Sequence, residues 1–206
     1  MTYVSHRHRH SSPGFTIIEL MVALFIFTLI GAGAANLLFT ATASQRDSLT
    51  TQEVLSKTST LGEYMSRAFR GAKKELNDAP QNCLTDPEFP GFGRGYNYAV
   101  NVAKDRIRFL NRENLCQEFY LSGSEILERK SIDEKAQNFA SAVTLTSSDV
   151  NVLALRFSLL GEGQQDNLQP RASVYFQVQS QGSKPESQNI VNFQTTISQR
   201  NFDVEK

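Results

Sequence analysis

A single carboxylate, Glu19, stands inside the otherwise apolar run from Phe15 to Phe39. A carboxylate within a membrane-spanning helix costs on the order of 2.5–3.5 kcal/mol at the bilayer centre and less near an end, so it is expected to have a partner and a task. A cut after Gly14 would supply the partner: the new α-amino group of Phe15 would lie four residues from Glu19. That amine could neutralise the carboxylate within one chain or between neighbouring chains. Leu20 to Leu29 would then remain a clean apolar helix for lateral packing.

Other residues with chemical capacity are few. The three histidines, His6, His8 and His10, all fall in the first ten positions. Their loss with a leader would exclude His-based general acid–base catalysis, Ser–His and Cys–His nucleophile pairs, and His-ligated zinc. Interleaved with Arg7 and Arg9, they read as a basic cytoplasmic flank, with a metal-binding tract as the sharper alternative. Cys83 and Cys116 read as a disulfide in an exported domain, worth roughly 3–4 kcal/mol, with two separate buried thiols as the alternative. The run Gly91-Phe92-Gly93-Arg94-Gly95 lacks the Lys-Ser/Thr ending of a phosphate loop and precedes a strand-like segment, Tyr96 to Val100, rather than a helix. It reads as a surface loop in which Phe92, Arg94 and Tyr96 are candidate contact residues. No metalloprotease, nucleophile-elbow or paired C-x-x-C motif occurs. Neither an enzyme nor a cofactor is therefore expected.

The 21 basic residues balance 21 acidic ones, and losing Arg7 and Arg9 leaves the chain near neutral. No net field favours nucleic acid. The strand aromatics Phe109, Phe119, Tyr120, Tyr175 and Phe176 are expected in a core, because basic residues are too sparse around them for a base-stacking surface.

These residues need elements to position them. At about 1.5 Å per residue, the 25 positions from Phe15 to Phe39 span roughly 37 Å of helix, enough to cross a hydrocarbon core of about 30 Å. Arg7 and Arg9 precede the run and no basic residue follows until Arg46, so a single pass with its N-terminus in the cytoplasm is expected. Three kinds of segment fit: a secretory signal cut near Ala32-Gly33-Ala34, an uncut anchor, or a segment cut after Gly14.

The run Gly14-Phe15-Thr16-Ile17-Ile18-Glu19-Leu20-Met21-Val22-Ala23-Leu24 closely resembles the start of the type IV pilin and type II secretion pseudopilin superfamily. The resemblance implies that Gly14 ends a leader and that Phe15 becomes a methylated N-terminus. It also implies that Glu19 guides docking into a filament. The partners implied are a prepilin peptidase/methylase, an assembly ATPase machine and other pilin or pseudopilin subunits in a plasma-membrane filament system. Many major pilins carry a proline in the second half of this helix. Here Asn36 stands at the matching place, and Gly31 and Gly33 are the residues that could loosen it. The missing proline points to a minor pilin or pseudopilin. So do two looser likenesses to minor pilins and J-type pseudopilins, at Glu118–Arg129 and Phe193–Asn201.

Beyond Phe39 the pattern is amphipathic. Val54, Leu55, Leu61, Met65, Ala68, Phe69, Ala72 and Leu76 recur at helical spacing, so one helix is expected from about Thr16 to about Leu76, ending before Asn77-Asp78-Ala79-Pro80. Later segments alternate with period two: Ile107 and Phe109, then Cys116–Leu121 and Ile126–Lys130 around Ser122-Gly123-Ser124. Val152–Leu159, Ala172–Val178 and Val191–Ile197 follow. The expected class is α+β: a long N-terminal helix whose second half packs on a C-terminal antiparallel sheet. The expected divisions are a leader over 1–14, a transmembrane and filament-core helix over 15–39, its amphipathic continuation over 40–78, and a sheet-built head over 79–206.

Overall fold

The computed structural model describes residues 14–76, 82–133, 138–162, 168–181 and 189–199. The expectations for His6, His8, His10, Arg7, Arg9, the Asn77–Pro80 stop and the Arg200-Asn201 end lie outside these residues. The chain parts into two compact units, Met1–Arg46 and Asp47–Lys206.

Helix α1, Ile17–Arg70, contributes to both. In the second unit its buried residues are Val54, Thr58, Leu61, Gly62, Met65, Ser66 and Phe69. Their three- and four-residue spacing gives one apolar face. The helix stops at Arg70 rather than near Leu76. Gly71 N–H donates to the carbonyls of Arg67 (3.3 Å) and Ala68 (3.1 Å), closing the last turn. The chain beyond is claimed by the sheet: Lys73 N–H donates to Leu110 O at 2.8 Å and Glu75 N–H to Tyr96 O at 3.0 Å. Leu76 accordingly lies exposed, as does Leu55.

The strands form two antiparallel sheets where the alternation pattern alone suggested one. The first has the order β1 (Tyr98–Val100), β2 (Arg106–Leu110), β3 (Cys116–Ser122), β4 (Glu125–Lys130) and β5 (Val143–Thr144). The second comprises β6 (Val150–Leu160), β7 (Arg171–Ser180) and β8 (Ile190–Ser198). Each connects neighbours in sequence, as hairpin topology favours. The β3–β4 turn is tight, pairing Ser122 with Glu125, and Gly123 takes a positive φ of 61° that a side chain would strain. Strand β6 runs past the turns of the first sheet: Val152 N–H donates to Ser124 O (2.8 Å) and Phe157 N–H to Lys104 O (2.7 Å).

The main core lies where α1 meets the inner faces of both sheets. Phe69 is its hub, with edge-on contacts to Tyr98, Phe109, Phe119 and Phe157 at centroid distances of 5.4–6.3 Å. The Tyr98 hydroxyl donates to Phe69 O at 2.8 Å, satisfying a buried polar group. Alternation along β7 buries Ala172, Val174, Phe176 and Val178, as the pattern predicts.

Candidate functional site: the N-terminal helix start and the covered face of the head

Thr16 precedes the first helical residue, Ile17, and Glu19 is the third residue in. The Thr16 hydroxyl accepts from Glu19 N–H, and the Glu19 carboxylate accepts from Thr16 N–H and from the Thr16 hydroxyl, each at 3.3 Å. This is a reciprocal capping box: each side chain satisfies a main-chain donor that helix geometry leaves free. Its sequence sign, Thr-x-x-Glu, was available in the sequence but is hidden by the more conspicuous isolation of Glu19. The box depends on no atom before Thr16. It turns the carboxylate back onto the main chain of Thr16, the residue that follows Phe15. The side chains from Phe15 to Phe39 are exposed. The helix is long and apolar enough to cross a membrane.

In the head, Cys83 and Cys116 are joined by a disulfide with Cα atoms 5.5 Å apart. The bond pins residues 82–96 over the outer face of the first sheet. Glu75, fully buried, accepts from Cys83 N–H (2.6 Å) and Leu84 N–H (2.9 Å), fixing where the cover begins. Cys83, Leu84, Phe89, Ala99, Leu110 and Cys116 form a second small core beneath it. Phe92 and Tyr96 pack against this core and edge-on to each other at 5.6 Å. The loop read as a contact surface is thus largely a lid, with Arg94 at its exposed rim.

The cover encloses charge. Glu118, fully buried, accepts from Arg108 Nε at 2.8 Å and Arg129 Nε at 2.9 Å, with Arg106 at 3.3 Å. Arg108 also reaches Asp86 at 2.9 Å and lies over the rings of Phe89 and Phe139. Burial alone would raise the Asp86 carboxyl; the Glu88 N–H and Arg108 hold it below its ordinary value instead. Tyr120, expected in the core, lies on this outer face between Arg106 and Arg129. Tyr175 is likewise outside the core and donates to Asn192. Every guanidinium of this cluster is matched by a carboxylate, so it is a structural network.

Among the described residues, no group of three His, Cys, Asp or Glu side chains could hold a metal ion. A groove of about 360 Å³ lies between α1 and the β5–β6 connection, lined by Leu61, Tyr64, Leu145 and Val150.

Residues 9–35 match the family model described as the prokaryotic N-terminal methylation motif. The chain carries the motif of a type IV pilin-like prepilin. No curated protein and no solved structure matches the chain. The prepilin motif contains Gly14, Phe15 and the whole Thr16–Glu19 capping box, and extends through the apolar stretch to Ala35. It is the mark of a structural pilin-type protein. It implies processing by a prepilin peptidase and assembly with other pilin subunits, and it accords with membrane anchoring through α1.

Proposed function

We propose that this chain is a minor pilin-like subunit of a type IV pilus or related filament, one that primes assembly or sits at the tip. Residues 1–14 are a leader cut after Gly14. Phe15 then carries the methylated amine, residues 15–39 form the membrane and filament-core helix, residues 40–78 continue it, and residues 79–206 form the displayed head. The subunit waits in the plasma membrane with its N-terminus cytoplasmic and its head outside. The observation that carries this reading is a prepilin motif whose one acidic residue, Glu19, is held by Thr16, the residue that follows Phe15 in the chain. A carboxylate so placed can meet the freed amine of Phe15 in its own chain or in a neighbour. The absence of proline from the apolar run favours a minor subunit, and the Glu118–Arg129 hairpin leaves a type II secretion minor pseudopilin as the second reading. A tip-displayed adhesion or DNA-binding role has less support, because the basic side chains around the sheet aromatics are already matched to carboxylates.

The test is the intact mass and N-terminal residue of the protein from its native membrane. N-methylated Phe15 is expected. A start near Ala35 would mark an ordinary secreted protein, and an intact Met1 a signal-anchored one; either would end this proposal.

A further inference from the structure

The fold treats its sheet edges unequally. At one end of the first sheet β1 has three residues, and at the other β5 has two. The free side of β6 is occupied where Val152 and Phe157 donate to the turns of the first sheet. Strand β8 is the remaining edge. It is nine residues long, Ile190–Ser198, with a regular register and neither a charged residue nor a proline.

The direction of its main-chain groups follows from the ladder. Val152 and Phe157 turn their N–H groups away from β7, so their partners Val178 and Val174 direct theirs to β8. Opposite these, Val191 and Thr195 bond to β7. Asn192, Gln194 and Thr196 therefore turn N–H and C=O to the open side, and no partner there is found among the described residues. Natural edges of this length usually carry a lysine, a proline or a bulge that prevents a further strand from pairing. This one carries none.

Between Thr51 and Gly62 the neighbouring stripe of α1 is uncharged too, with Asp47 and Glu63 beyond its two ends. Thr51 accepts from Asn189 at 2.6 Å, and Gly62 lies against the Phe193 ring. Leu55 and Ser59 fall between them by helical period, and Leu55 is 52% exposed.

We propose that the open edge of β8 is a strand-addition surface for an uncharged extended segment of a different subunit in the same filament. The segment's main chain bonds to Asn192, Gln194 and Thr196, and one apolar side chain rests on Leu55. Charge complementarity selects an uncharged segment, since neither the edge nor the stripe offers a counter-charge. A second copy does not fit. Antiparallel β8–β8 pairing would run the two α1 helices in opposite directions, and parallel pairing would set polar Asn192 and Gln194 against Leu55. The identity of the partner as a filament subunit rests on the proposed function.

The test uses the full chain, solubilised in detergent and in the assembled filament, read by residue-resolved amide hydrogen exchange. Asn192, Gln194 and Thr196 are expected to exchange fast when solubilised and about 100-fold more slowly in the filament, with Val191, Phe193 and Thr195 slow in both. Gln194→Pro removes an outward N–H without touching the β7 ladder, and Gln194→Lys adds charge to an exposed side chain. Each is expected to reach the membrane processed and to fall about tenfold in the filament, while Ser158→Lys, on the exposed face of β6, assembles normally. Equal exchange in the two states, slow exchange already in the solubilised chain, or normal assembly of both Gln194 variants would overturn the inference. With N-methylated Phe15 present, those outcomes leave the filament reading standing; an unprocessed chain defeats both.

Discussion

At the scale of residues, Glu19 caps the helix start with Thr16, and the proposed function gives it a second, separable task in assembly. Glutamine still closes a capping box but brings no charge. Glu19→Gln is therefore expected to keep the helix start and the N-methylated mass, yet fall about tenfold in sheared filament fractions. Thr16→Ala, by contrast, should cost the helix about 1 kcal/mol of capping while leaving the carboxylate's charge intact. In the head, Phe69 touches four buried rings, so Phe69→Ala should lower the unfolding free energy of the detergent-solubilised chain by about 3–5 kcal/mol in denaturant titration. Two pH limits also follow. The hydrogen bond from Lys57 holds the Asp149 carboxyl down to about 2 and raises the Lys57 amine. A carboxylate depressed on folding stabilises above its unfolded value, so this contribution fades as pH falls from about 4 towards 2. Both side chains are solvent-exposed, and the effect, removed in Asp149→Asn, should be small. Burial pushes the phenols of Tyr98 and Tyr64 upward, Tyr64 with help from its bond to Glu128. Tyrosines raised on folding stabilise below their unfolded value, so stability should drop above about pH 10, visible as a falling thermal midpoint.

At the scale of elements, local periodicity and long-range closure part company. The α1 stripe, the β3–β4 hairpin and the alternation of β7 and β8 could be read in the sequence, because each is fixed by neighbours within a turn or a pleat. The helix end could not: Lys73 and Glu75 bond to Leu110 and Tyr96, which are distant in sequence. The split into two sheets was equally hidden, since period two says which side of a strand is buried and not which strand it joins. Arg106, Ile107, Arg108 and Phe109 read as one wet and one dry face, yet Arg108 is 3% exposed. Its cover comes from residues 82–96, and the cysteine pair was the sole sequence sign of it. The same bond sets a prediction: with Cys83→Ser and Cys116→Ser together, the head should lose roughly 3–4 kcal/mol in denaturant titration, the loop-closure entropy of a 33-residue separation. Of the candidate assembly site, the Gly14–Glu19 spacing was legible, while the grip of Thr16 on Glu19 needed side-chain geometry.

At the scale of the whole molecule, the apolar part of the prepilin motif, Ile17 to Ala35, and the residues that hold the head share one helix without a proline break. The head's grip on that helix is spread along it. The buried side chains from Val54 to Phe69 cover about 22 Å of axis at 1.5 Å per residue. Tension applied along this segment therefore acts parallel to the whole row of contacts. To withdraw α1 it must shear these contacts together rather than peel them off singly. The rings around Phe69 stand at the far end of that row, and the Gly71 turn behind them passes directly into main-chain bonds with the first sheet. In mechanical terms the Val54–Phe69 segment is a rod bedded in its own core and stopped at its end, and a pull along that segment should load the whole row before any one contact lets go.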